Sequence, residues 1–166
     1  INGQISKGFR LGGINDQLNV PLCTASDLET FGGNDSWDDE TLWNYEAGIK
    51  SNIMGGRGTL NVAVFYQDIK DLQATVTAGS CSSRVVYNVP KAHSAGFELE
   101  LAAQQTERFD WALTASYISA EIDSTVTSTA NDGSTSVVGG IEKGNRLATV
   151  PKFQAAAAAT YVWPMN

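Results

Sequence analysis

Apolar and polar residues alternate along most of this chain. Between Leu60 and Gln67, Leu60, Val62, Val64 and Tyr66 hold one parity, and Asn61, Ala63, Phe65 and Gln67 hold the other. A period of two sends successive side chains to opposite faces of a strand. The stretch therefore predicts a strand with one apolar face and one mixed face. The pattern returns with Phe97, Leu99 and Leu101 against Glu98 and Glu100, and with Trp111, Leu113, Ala115 and Tyr117 against Ala112, Thr114 and Ser116. It also appears with Trp43, Tyr45, Ala47 and Ile49 against Asn44, Glu46, Gly48 and Lys50, and from Phe153 to Trp163. At the start, Ile5, Phe9 and Leu11 oppose Ser6, Gly8 and Arg10, with Lys7 breaking the apolar set. Six strands are predicted, over 2–14, 41–54, 58–77, 84–104, 109–123 and 150–163, in an all-β, antiparallel, up-and-down arrangement. The alanine run at 155–159 has helical propensity. It follows Pro151 and ends in Thr160-Tyr161-Val162-Trp163, so a strand is the preferred reading and a helix the competing one.

Segment and connection lengths turn this toward a membrane barrel. Several segments exceed the usual five or six residues of a soluble strand and reach the roughly 9–11 residues that a spanning strand needs. A Gly-rich turn at 54–58 and a tight turn at 105–108 alternate with longer connections at 15–40, 78–83 and 124–149. Outer-membrane barrels place short turns at the periplasmic side and long loops outside. The first, third and fifth segments then run outward. Trp111, Tyr161 and Trp163 fall near the periplasmic interface, and Trp43, Tyr45, Tyr66 and Tyr117 toward the extracellular one, as two aromatic girdles. A soluble β-sandwich or small non-receptor barrel with a binding or structural role is the alternative.

Composition narrows the partners. Charged residues make up 17%, the net charge is −7 and the pI is near 4.5. With no basic stripe to neutralise phosphates, nucleic acid is not expected as a partner. Mean hydropathy is −0.16 and no apolar run is long enough for a membrane helix, which leaves a barrel open because its strands alternate. Cys23 and Cys81 allow one disulfide in an oxidising compartment; two separate thiols are the other reading.

Reactive constellations are scarce. His93 is the single histidine, and HExxH, CxxC and GxSxG are missing, so neither an enzyme nor a cofactor is expected. His93 is read as a wall or interface residue. Asp35, Asp38, Asp39 and Glu40 form an acidic run in the first long connection: a cation or ligand contact in the functional reading, a solvated loop in the plain one. Asn131-Asp132-Gly133 lacks EF-hand spacing and predicts a turn. Gly12-Gly13 and Gly55-Gly56 are not followed by a phosphate-loop Lys-Ser/Thr and read as turn or bulge glycines.

Five segments, in order, resemble the C-terminal half of TonB-dependent receptor barrels. They are ISKGFRLGGIN at 5–15, ETLWNYEAGIKS at 40–51, NVAVFYQDIKDLQ at 61–73, then Asn88, Lys91-Ala92 and GFELE at 96–100, and GNRL at 144–147 with VPK at 150–152. The resemblance implies about six strands of a 22-strand barrel in a bacterial outer membrane, within a receptor that takes up a scarce ligand such as an iron–siderophore complex. Implied partners are outer-membrane lipid, the remainder of the barrel and its plug, the TonB system through that plug, and a small-molecule ligand. Arg10, Glu46, Lys50, Glu98 and Glu100 would line the lumen, with Arg10 or Lys50 as partners of Glu98 and Glu100. The family's plug and TonB-binding segment are not recognisable within 1–166, so the resemblance implies an internal piece of the barrel domain.

Overall fold

The computed structural model describes residues 1–164. Six long strands form one antiparallel meander. They are β1 (Asn2–Arg10), β4 (Glu40–Ile53), β5 (Gly58–Thr77), β6 (Arg84–Thr106), β7 (Phe109–Ile122) and β10 (Phe153–Tyr161), in sheet order β1-β4-β5-β6-β7-β10. Each long strand pairs with its neighbour in sequence, as an up-and-down barrel wall requires, and the sheet is open at β1 and β10. The alanine run is strand, held in register between Phe153↔Tyr117 and Tyr161↔Phe109.

One end of the sheet carries tight turns. β4 passes into β5 through Met54–Gly56 and Arg57, where Met54, Gly55 and Gly56 all take positive φ. Two successive glycines supply that geometry without a Cβ penalty. β6 returns as β7 through Glu107 and Arg108, with a register shift at Gln104/Thr106.

The other end carries the long connections, and these hold structure that strand periodicity does not predict. β2 (Gly13–Ile14) and β3 (Ser36–Trp37) form a two-residue ribbon, β8 (Thr127–Thr129) and β9 (Thr135–Val137) form a hairpin, and α1 (Ala25–Phe31) is a two-turn helix. Thr24 caps α1 by accepting from Asp27 N at 3.2 Å. At Asn131-Asp132-Gly133 the chain turns between β8 and β9, with Asp132 Oδ1 accepting from Ser134 N at 2.8 Å.

Two predicted boundaries and the character of one connection need correction. The first segment does not run to residue 14: β1 ends at Arg10, and β2 joins a different ribbon. A side chain at Gly12 would collide with the backbone of Trp37 and Asp38, so glycine lets the returning loop cross there. The sixth segment begins at Phe153 rather than 150, after Thr149 at φ 63° and Pro151. The 78–83 connection is a compact turn at the tip of a hairpin, because β5 and β6 extend well beyond their neighbours, with 20 and 23 residues.

The buried core lies at this looped end, where the ends of β5, β6 and β7 meet the long connections. Phe31 of α1, Val76, Ala78, Cys81, Val85 and Val89 of the β5–β6 tip, and Val138 and Ile141 of the last connection pack together with Ile122. The lobe therefore has the interior of a small soluble domain, and the sheet below it has two exposed faces.

Candidate functional site: a two-faced wall under a folded lobe

Cross-strand register sorts the sheet into two chemistries. One row runs Ile5↔Tyr45↔Tyr66↔Ala95↔Ser119. Stepping by two toward the turns, Val64, Phe97, Tyr117 and Phe153 share that face, then Val62, Leu99, Ala115 and Ala155, then Leu60, Leu101, Leu113 and Ala157. Among the described residues no second layer covers it: Ile5 is 69% exposed, Val64 52% and Phe153 63%. A soluble sandwich would bury this face against a second sheet.

From Gly58 to Asp68 this face spans ten residue-to-residue steps of β5, or ~33 Å along the strand. At a tilt of about 40° that is a height of roughly 25 Å, the apolar band of an outer-membrane barrel. Aromatics mark its upper edge. Trp43 stacks with Tyr45 at 6.4 Å and Phe97 with Tyr117 at 6.1 Å between ring centroids. Tyr161 meets Trp163 edge-on at 5.3 Å at the turn end, where Ala159 pairs with Trp111. His93 lies above the upper row, with Nδ1 2.8 Å from Asp123 Oδ2 and its ring stacked on Tyr66 at 6.1 Å.

The opposite face is polar. Register puts Gln4, Glu46 and Phe65 in one row, Gly48, Ala63, Glu98, Ser116 and Gln154 in the next, and Lys50, Asn61, Glu100 and Thr114 in a third. Arg10, Glu46, Lys50, Glu98 and Glu100 share this face, but not in the expected pairs. Arg10 Nη2 donates to Glu40 Oε2 at 2.6 Å, and Asn61 Nδ2 donates to Glu100 Oε2 at 3.0 Å. Arg10 sits at the last pair of β1 and β4, several residues along the strand from Glu98, which is why it cannot serve the glutamates.

The lobe is stitched to the β5–β6 tip by side-chain amides. Asn15 Oδ1 accepts from Val86 N at 2.8 Å while its Nδ2 donates to Val86 O at 3.0 Å and Asn34 O at 2.8 Å. Asn88 accepts from Asp38 N at 2.7 Å and donates to Asp38 O and Asp71 O. Gln73 Nε2 donates to the carbonyls of Arg10, Leu11 and Asp38. Cys23 and Cys81 are joined in a disulfide across 58 residues of sequence. Beside it, Asp27 accepts from Ser80 Oγ at 2.5 Å, Ser80 N at 2.9 Å and Thr24 Oγ1 at 2.8 Å. The Ser80 hydroxyl and N–H, then Thr24, hold the Asp27 carboxyl below its ordinary value. Ser134 does the same for Asp132.

The acidic run divides in use. Glu40 is the first residue of β4 rather than a loop residue, and its carboxylate also accepts from Gln73 N at 2.7 Å. Asp39 Oδ1 accepts from Gly12 N at 2.6 Å. The exposed carboxylates of Asp35 and Asp38 make no hydrogen bond among the described residues; only their backbone groups are engaged. Sequence reasoning overlooked a wider asymmetry: between Leu11 and Asp39 there are six acidic residues and no Lys or Arg. Asp16, Asn34 and Asp35 line a groove with Leu18, Leu28 and Phe31. The described residues hold no cluster of three or more metal-ligating side chains.

An antiparallel meander with an unburied apolar band and an opposite polar face is a segment of an outer-membrane β-barrel wall. The chain belongs to the TonB-dependent receptor family: the family model for the TonB dependent receptor-like β-barrel matches residues 1–165. This is a family of outer-membrane receptors and transporters of Gram-negative bacteria, not of enzymes. Among curated proteins the chain is similar to the metal-pseudopaline receptor CntO of Pseudomonas aeruginosa, with 31% identity over 126 residues, 76% of this chain and 16% of the relative. Among solved structures it resembles the ferric yersiniabactin uptake receptor FyuA from Yersinia pestis, with TM-score 0.63 and 23% identity over 98% of this chain and 20% of that one. It also resembles the siderophore receptor PiuA from Acinetobacter baumannii, with TM-score 0.57 and 20% identity over 96% and 22%. These two likenesses concern the fold. The chain spans about a sixth of the curated relatives it matches.

Proposed function

We propose that this chain is part of the wall and outer mouth of a receptor that takes up a scarce metal complex of the siderophore type. The apolar face meets lipid, the polar face with Glu46, Lys50, Glu98 and Glu100 lines the lumen against a plug, and the lobe stands outside the cell. Asp35 and Asp38 present carboxylates toward an arriving ligand at that mouth. Transport is driven by the TonB system through the plug, not by any residue of this segment.

The observation that supports this reading best is the combination of a two-faced sheet with a lobe that owns the only sizeable core among the described residues. Strands alone make a wall; a stitched, disulfide-held lobe at one end makes a preformed surface for capture. The name of CntO supports a metal-chelate ligand. The experiment is metal uptake by metal-starved cells carrying the full-length receptor, intact or with Asp35 and Asp38 replaced by asparagine. The reading expects receptor-dependent uptake that the double variant lowers while surface expression is unchanged. Uptake independent of the receptor would contradict it.

A further inference from the structure

The groove in the lobe combines an apolar floor with charge of a single sign. It has a volume of about 250 Å³ and lies between the first long connection, with its helix α1, and Val85 of β6. Phe31 and Val85, both buried, form the floor with half-buried Leu18 and Leu28. Asp16 and Asp35 stand exposed at the edge. Asn15 N donates to Asp35 O at 2.8 Å, which brings the two acidic residues to one rim. Neither carboxylate is in an ion pair among the described residues. No Lys or Arg lines the groove. Arg84 precedes Val85 in β6, so its side chain leaves the strand on the opposite face. The other polar groups at the edge are neutral: Gln17, and Asn34, whose Nδ2 is committed to the Val86 carbonyl at 2.7 Å.

This chemistry selects the occupant. A bare metal ion needs more ligands than two exposed carboxylates, and the described residues hold no group of three or more that could bind one. An anion would meet like charge, whose field the apolar walls focus. An apolar cavity of about 150 Å³ already holds benzene, so the floor has room for a ring or a short alkyl chain. We propose that the groove binds an organic ammonium group carried on a small apolar body. The ammonium sits between Asp16 and Asp35, and the body lies on Leu28 and Phe31. The proposal rests on the reading of the lobe as a capture surface and names its ligand class: metal chelates with such a cationic arm are favoured, and polyanionic chelates are disfavoured. The rim is fixed before a ligand arrives, because Asn15 is bonded both to Asp35 and to Val86 beside the floor, which lowers the ordering cost of binding.

The test titrates the full-length receptor in detergent with phenethylammonium, and with phenylpropionate, which keeps the ring and reverses the charge. Saturation transfer from protein to probe reads binding, and metal uptake by cells carrying the same receptor is measured alongside. Phenethylammonium should bind and phenylpropionate should not. Asp16→Asn with Asp35→Asn should weaken phenethylammonium roughly tenfold, about threefold for each exposed charge. Salt at about 1 M should weaken the parent in the same direction. Leu28→Ala should weaken binding while keeping its salt dependence. If the double asparagine variant does not fold, Asp16→Asn alone should show the threefold loss. Receptor-independent uptake would remove the transport reading, and the chelate preference with it. Where uptake does depend on the receptor, no binding of phenethylammonium, equal binding of the two probes, or binding unmoved in the asparagine variants would overturn the groove as an ammonium site.

Discussion

The side chain of Asn15 pairs with Val86 as a neighbouring strand would, accepting from its N–H at 2.8 Å and donating to its carbonyl at 3.0 Å. β6 thereby gains a partner where no strand lies beside it, and the first long connection is fixed to the hairpin tip. Asn15→Ala leaves the N–H of half-buried Val86 unmatched, while the Val86 carbonyl still accepts from Asn34 Nδ2 at 2.7 Å. The expected cost to the lobe is about 2 kcal/mol, read as faster amide exchange at Val86 by more than tenfold, while amides of the sheet near Val62 keep their protection.

The Cys23–Cys81 bond closes 58 residues of chain. Loop-closure entropy for that length is about 4 kcal/mol in the unfolded chain. Reduction, or Cys23→Ser with Cys81→Ser, should make 11–39 sensitive to protease and leave barrel heat-modifiability intact. Intact mass before and after reductant, with proteolysis of the live-cell surface, checks both parts.

Asp27 fastens α1 to the same tip. Folding lowers its pKa below the ordinary 3.8, so its contribution is complete above that value and is lost as pH falls through the lower folded value. Protease resistance of the lobe should be flat between about pH 5 and pH 8 and decline only under more acid conditions. Asp27→Asn should reduce that acid sensitivity, leaving the part carried by Asp132. Gly79 sits against this carboxylate at φ 46°, where a side chain would strike Asp27. Gly79→Val should therefore loosen the lobe more than Asp27→Asn does.

Glu40 serves both Arg10 and the Gln73 N–H. Arg10 is 56% exposed in its side chain, so screening limits the ion pair to at most about 1 kcal/mol. Removing Glu40 also strands a half-buried N–H, for a further 1 kcal/mol or so. Glu40→Ala should lower the thermal midpoint more than Arg10→Ala, and a thermal melt of the detergent-solubilised receptor separates them.

Six strands and their two chemistries were legible because period two survives wherever one face must be apolar, and parity alone sorts Val62 from Ala63. Partners were not legible. A 29-residue connection between Arg10 and Glu40 does not fix register as a tight turn does, so nothing in the sequence joined those two charges. The lobe was hidden for a different reason. Its cohesion comes from the amides of Asn15, Gln73 and Asn88 reaching across 17 to 71 residues, and from a seven-residue helix that buries Phe31 alone. Neither leaves a repeating pattern.

The most direct test of the wall reading is spin-label accessibility along β5 in the full-length receptor reconstituted in lipid. Labels placed singly from Leu60 to Gln67 should alternate: oxygen, which partitions into lipid, reaches Leu60, Val62, Val64 and Tyr66, whereas a water-soluble relaxer favours Asn61, Ala63, Phe65 and Gln67. Accessibility without a period of two, or with the two sets exchanged, would contradict a wall whose apolar face meets the membrane.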